Sequence, residues 1–206
     1  MEKKAFSILL IAVSLTLILG LLPIHGEEKI YESVVRLHVL ANSDSEEDQA
    51  LKLCVRDRIL LLTETLLAEC KDRSEALIVM EENMELFRTC ADAVIKEKGY
   101  SYDVEVELGE EYYPTRVYES SAFPAGEYTS LRIKIGEAEG KNWWCVLFPP
   151  LCLSAASGKK KEEAFVAAGL TPEQYGIIIE QGDKAGKYEI RFKILEIFEE
   201  LARKFK

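Results

Sequence analysis

Three groups of residues in this chain have types and spacings that could do chemistry. Asn42, Asp44, Glu46 and Asp48 alternate like the first oxygen ligands of a calcium loop. Such a loop also needs glycine at its sixth position and a bidentate glutamate at its twelfth, where Glu47 and Leu53 stand here. Ser45 followed by Glu46, Glu47 and Asp48 reads instead as a helix cap, with acids at the positive end of the helix dipole. Cys145 and His38, with Asp44 to orient the ring, are the residue types of a thiol nucleophile and its base. Both sit in apolar strand patterns, where a cysteine is usually inert and a histidine is usually a satisfied structural residue. Cys145 and Cys152 flank a Pro-Pro bend, and a disulfide there needs Cα atoms within about 7 Å. Two free thiols are the equal alternative.

The remaining enzyme signals are missing from the sequence. His25 lies at the foot of an N-terminal apolar run, so the rest of the chain has one histidine, His38. That is short of the three protein ligands a catalytic zinc normally uses. No phosphate-cradling glycine loop or Gly-x-Ser-x-Gly elbow occurs. The expectation is a protein that is not an enzyme and needs no cofactor and no metal.

The densest stretch is Asn142-Trp143-Trp144-Cys145-Val146-Leu147-Phe148-Pro149-Pro150-Leu151-Cys152. It holds both tryptophans and two of the five cysteines. Such residues build either a core strand or a binding platform. Alternation puts Trp143, Cys145 and Leu147 on one face and Trp144, Val146 and Phe148 on the other, so one tryptophan is free to face away from the helices. A strand apolar on both faces is expected to be central, and Pro149-Pro150 must end it.

The elements that must position these residues follow from hydrophobic period. Val35, Leu37 and Val39 alternate with Arg36, His38 and Leu40 and predict a strand over 34–41. A helix is predicted over 46–70, with Leu51, Val55, Ile59, Leu62 and Leu66 on one face and Leu53, Leu60 and Leu67 nearly opposite. A second helix is predicted from Ser74 to Gly99, a good residue to follow a helix end. Strand patterns then cover Val104 to Leu108, Thr115 to Tyr118, Leu131 to Ile135 and Trp143 to Phe148. Gly109–Pro114 reads as a loop and Gly136–Lys141 as a hairpin loop. Ile177-Ile178-Ile179 suggests a last short strand, and Tyr188 to Lys204 a closing helix. The expected fold is α+β, a mostly antiparallel sheet with two long helices packed on one face.

Residues 1–26 stand apart. Lys3 and Lys4 precede an uncharged run from Ala5 to Leu22, the pattern of a signal peptide or membrane anchor. Residues 27–153 then form the main exported domain, and 154–206 a linker and C-terminal helical segment. The whole chain carries a net charge of −10, which weighs against nucleic acid as a partner and confines membrane contact to the N-terminal segment.

Two stretches resemble the signatures of the stage II sporulation protein R family. One runs Arg36-Leu37-His38-Val39-Leu40-Ala41-Asn42-Ser43-Asp44-Ser45 and continues through Asp48-Gln49-Ala50-Leu51-Lys52-Leu53 to Val55-Arg56-Asp57. The other runs Phe123-Pro124-Ala125-Gly126-Glu127-Tyr128, with Leu131-Arg132, Gly136, Gly140 and the stretch from Asn142 to Cys152. The resemblance implies export from the forespore of an endospore-forming bacterium into the space between forespore and mother cell. There the family's members activate a membrane-embedded aspartic protease of the mother cell, which processes a pro-sigma factor. On that implication the residues expected to touch the partner are Asn42, Ser43, Asp44, Trp143, Trp144, Pro149 and Pro150. The competing reading is a secreted thiol enzyme using Cys145 and His38.

Overall fold

The computed structural model describes residues 27–118 and 121–150, with Ser14 and a few positions between 165 and 178. The expected N-terminal anchor, the linker after Ser154, the closing helix and Cys152 lie outside the described residues. Among those that are described, no helix is long and apolar enough to cross a membrane.

A short helix α1 (Glu27–Ser33) leads into strand β1 (Val35–Leu40). Ser45 then starts helix α2 (Glu46–Leu66), its side chain accepting the Asp48 N–H, with three acids in the first turn. Both expected stripes of this helix are largely buried, though Leu53 is exposed. The single helix expected over 74–99 is two: α3 (Arg73–Glu82) and α4 (Met84–Glu97). Asn83 makes the break. Its side-chain amide donates to the Val79 carbonyl at 2.7 Å, competing with the helical ladder. Gly99 closes α4 with φ +83°. One apolar face, expected from the spacing of Ala76, Met80, Met84, Phe87, Ala91 and Val94, continues across the break; all of these are buried except the half-buried Met84.

The remaining strands are β2 (Val104–Tyr113), β3 (Arg116–Tyr118), β4 (Ser121–Phe123), β5 (Gly126–Ile135) and β6 (Asn142–Phe148). The main sheet has the order β2-β5-β1-β6. Strand β1 runs parallel to β5 and antiparallel to β6, and β2 is antiparallel to β5. The sheet is therefore mixed, not simply antiparallel. β6 is an edge strand, not the central one, and β1 lies between β5 and β6, so Gly136–Lys141 closes no hairpin. The apolar character of β6 on both faces has another source. Helices α2, α3 and α4 lie on one side, while Arg116 and Tyr118 of the β3–β4 pair reach Trp144 on the other. Gly109 to Tyr113 is strand rather than loop, because ten residues pair continuously with β5.

Strand alternation sorts the two faces. Leu37, Val39, Leu131, Ile133, Ile135, Val104, Val106 and Leu108 share the face that meets the helices. α2, α3 and α4 lie there, with Arg73 of α3 donating to the Val34 carbonyl at 3.3 Å and to Thr129. The other face carries Arg36, His38, Glu111, Tyr113, Tyr128, Ser130 and Trp144. α1 covers part of it, with Tyr31 packed edge-on to Tyr128 at 4.9 Å. Phe165, Leu170 and Ile178 belong to the same hydrophobic core, and Phe165 packs on Phe123. Ile178 is helical, where a strand was expected.

Phe87 of α4 is fully buried in the core, whereas Leu61 is 58% exposed. Phe87→Ala is expected to cost about 3–5 kcal/mol by urea denaturation, and Leu61→Ala to stay within about 0.5 kcal/mol. Equal costs would contradict this packing.

Candidate functional site

The Asn42–Ser45 turn is the first place where predicted site residues gather. Its centre is Asp48, which is only 4% exposed. The Asn42 amide donates to Asp48 Oδ2 at 2.8 Å and the Ser43 hydroxyl to the same oxygen at 2.6 Å. Burial pushes the Asp48 carboxyl up, but hydrogen bonds from Ser43, Asn42, Tyr102 and Ser45 outweigh it and hold the group below the usual aspartate range. Gln49 donates to the Ser43 carbonyl at 2.8 Å.

This turn is tied to the β5–β6 connection. Asn42 Oδ1 accepts from Glu137 N at 3.0 Å, and Asp44 Oδ1 from Lys141 N at 2.7 Å. Gly140 N donates to the Ala41 carbonyl at 2.9 Å. Buried Lys52 reaches across to the Lys141 carbonyl at 2.8 Å. The glycines make the approach feasible: a Cβ at Gly140 would stand 2.2 Å from the Ser43 carbonyl oxygen, and one at Gly136 would stand 2.3 Å from Asn42 Oδ1. The calcium-like spacing thus builds a hydrogen-bonded clasp, and no metal-ligating group of three acids, histidines or cysteines occurs among the described residues.

The other predicted contact residues are divided. Trp143 opposes Val39 and lies on the helix side, at its rim, 36% exposed with the Arg56 guanidinium 4.2 Å above its ring. Trp144 faces the opposite side, half-buried, with Arg116 at 3.5 Å over its ring. The more exposed tryptophan is therefore the one on the helix face. Asn42, Ser43, Asp44 and Trp143 come together at one end of the sheet. Pro149 and Pro150 sit at the other end of β6, about 20 Å away by strand rise. The peptide into Pro149 is cis, and Pro150 is exposed.

Cys145 and His38 do not meet. Cys145 opposes Leu37, so it lies on the face away from His38. It is also disulfide-bonded, whereas Cys54, Cys70 and Cys90 are free thiols. Nor does Asp44 orient His38. The ring's Nδ1 lies 2.7 Å from Glu111 Oε1 and its Nε2 lies 2.9 Å from Asn142 Oδ1. Burial pushes the Glu111 carboxyl up, but the hydrogen bond and electrostatic attraction of His38, with Ser130 and Arg132 nearby, hold it below the usual glutamate range. Among the described residues, Cys145 and His38 form no nucleophile–base pair. Their separation follows from one-residue alternation across two paired strands.

Sequence reasoning missed Arg36, which alternation alone marks as an outward polar residue. It is fully buried. Its Nε donates to the Cys145 carbonyl at 3.0 Å and its Nη2 to the Tyr118 hydroxyl at 2.8 Å. The guanidinium carbon lies 4.3 Å from the Tyr113 ring centre, 4.8 Å from Tyr128, 5.2 Å from Phe123 and 5.8 Å from Tyr118. The available signal was the run of Tyr113, Tyr118, Phe123 and Tyr128, too many aromatics for loop and edge positions.

Fold and site together define an α+β domain with a mixed sheet, in which Arg36, His38, Asp48, Glu111 and Cys145 are turned inward as structural ties. The particular family is settled by comparison. The chain belongs to the stage II sporulation protein R family, whose sequence model matches residues 31–158 and so spans both signatures. It is 32% identical over 164 residues to Stage II sporulation protein R of Bacillus subtilis (strain 168), covering 78% of this chain and 73% of that one. No solved structure matches. A role in sporulation follows from this membership.

Two outcomes test the site. Gly140→Ala is expected to destabilise the fold by roughly 1–3 kcal/mol in urea, because backbone rather than a movable side chain blocks the new methyl. An unchanged midpoint would contradict the clasp. Glu111 has a lowered folded-state pKa, so its contribution is present above the ordinary glutamate value of about 4.3 and is lost as pH falls through the folded value. Glu111→Gln should therefore flatten that part of the acid limb of the stability curve between pH 7 and pH 3. An acid limb as steep as that of the unaltered protein would remove Glu111 from the account.

Proposed function

We propose that the protein is an exported signal of endospore formation. It acts from the space between forespore and mother cell by activating a membrane-embedded aspartic protease, which then processes a mother-cell pro-sigma factor. The observation that carries this reading is family membership across residues 31–158, with both signatures intact. The N-terminal apolar run from Ala5 to Leu22 supports export or anchoring, and the net charge of −10 supports an aqueous protein partner over a polyanion. An activator of this kind works by binding the protease's active state better than its inactive one, since a ligand shifts an equilibrium only by differential affinity.

The geometry favours one patch for that contact. Trp143, with Arg56 over its ring, stands beside exposed Asp44 and Lys141. Exposed Leu53 lies on α2 one turn before Arg56. Tryptophan and arginine are residue types enriched among binding hot spots, and exposed Leu53 adds apolar area beside them.

The test is co-expression of the chain, the protease and the pro-sigma factor in a bacterium that does not form spores. Processing should require the chain, and processing in its absence would overturn the reading. In the same assay Trp143→Ala, with an unchanged urea midpoint, should reduce processing about tenfold, as loss of roughly 1.4 kcal/mol of binding would. Full processing would remove Trp143 from the contact.

A further inference from the structure

Arg36 presents a charge imbalance that nothing else in the described structure resolves. Its guanidinium is fully buried, and an arginine stays protonated in any such setting. Two of its nitrogens donate to neutral acceptors, the Cys145 carbonyl and the Tyr118 hydroxyl. The third, Nη1, is buried with no hydrogen-bond partner. Among the described residues no carboxylate lies within ion-pairing distance of it.

The surrounding tyrosines do not supply the missing anion. Burial pushes the Tyr113 phenol far above its ordinary value, and burial likewise raises Tyr118, so both stay neutral. The Tyr113 hydroxyl is shared with Ser130 at 2.7 Å, and that of Tyr128 donates to the Pro124 carbonyl at 2.7 Å. Cation–π attraction to the rings offsets part of the cost of burying the charge, but a ring quadrupole is not a counter-charge. The rings soften the imbalance, and a counter-ion would remove it.

The covering element is the β3–β4 pair, with β4 itself buried and Phe165 packed on Phe123. Strands β3 and β4 form a separate two-stranded sheet, and they place Tyr118 and Phe123 against the guanidinium. Tyr118 is the latch: its hydroxyl accepts from Arg36 and donates to the Trp144 carbonyl at 3.2 Å. Val117, beside Tyr118 on β3, is half-exposed.

We propose that Arg36 and its aromatic box are a binding site for a single carboxylate, reached by displacement of the β3–β4 cover. A planar, singly charged anion matches the one free guanidinium edge and neutralises one positive charge. The aromatic walls exclude water and strengthen that pairing. The carboxylate can be carried by a small acid or by the end of a polypeptide. This inference is independent of protease activation.

The test is NMR of the full chain in detergent, following the Arg36 Nε–H signal assigned through its contacts to the Tyr113 and Tyr128 rings. Sodium acetate and an acetylated tripeptide with a free C-terminus are titrated against sodium chloride at matched ionic strength and against the same tripeptide amidated. The expected result is a saturable shift with acetate and the free-acid tripeptide, and none with chloride or the amide. Tyr118→Phe keeps the ring but removes the latch, so it should lower the half-saturating acetate concentration. A saturable shift with acetate alone supports the site and names a small acid as the occupant. Identical, non-saturating drift with acetate and chloride, in both the unaltered protein and Tyr118→Phe, would overturn the proposal.

Discussion

Strand β1 is buried on both faces, and this constraint shapes the rest of the molecule. Its parallel partner β5 and antiparallel partner β6 leave it no edge, and five of its six residues are buried. Leu37 and Val39 meet the helices at no cost. Arg36 and His38 cannot, because alternation sends them into the opposite layer, where polar groups need partners. The second face is built to supply them. Glu111 and Asn142 hold the two nitrogens of His38, and four aromatic rings surround Arg36. β2 must run on to Tyr113, and β3 and β4 must fold back, for these partners to arrive.

The same strand ends in the turn that fixes β6. Asn42 and Asp44 take backbone N–H groups from the β5–β6 connection, while Asp48 gathers the Asn42 and Ser43 side chains from behind. Two distant segments of the chain are thereby locked at one end of the sheet. The residues that looked most like a calcium loop or a contact motif are mostly consumed in this clasp. What it leaves at the surface is the start of β6, with Trp143 beneath Arg56. The clasp sets where the exposed tryptophan stands.

Much of this was legible in the sequence. Period-two and helical patterns located β1, α2, the two later helices taken as one, and β6, and Ser45 was read correctly as a cap. Both signatures identified the family. The break at Asn83 was missed because the apolar face continues across it. Strand order was missed because local pattern reports burial, not neighbours: β6 is apolar on both sides at an edge, while β1, carrying an arginine and a histidine, is central. The parallel β1–β5 pairing joins residues far apart in the chain, beyond the reach of any window. The Arg36 box failed for the same reason, since its walls come from four separate strands.

On the proposed function the protein acts by occupying its partner, not by turning over a substrate. The most direct measurement counts how many protease molecules become active per molecule of this protein in a reconstituted membrane. Activation should rise in proportion to added protein and level off at stoichiometric equivalence. Full activation by a small fraction of an equivalent, persisting after the protein is removed, would contradict the account and point to catalysis.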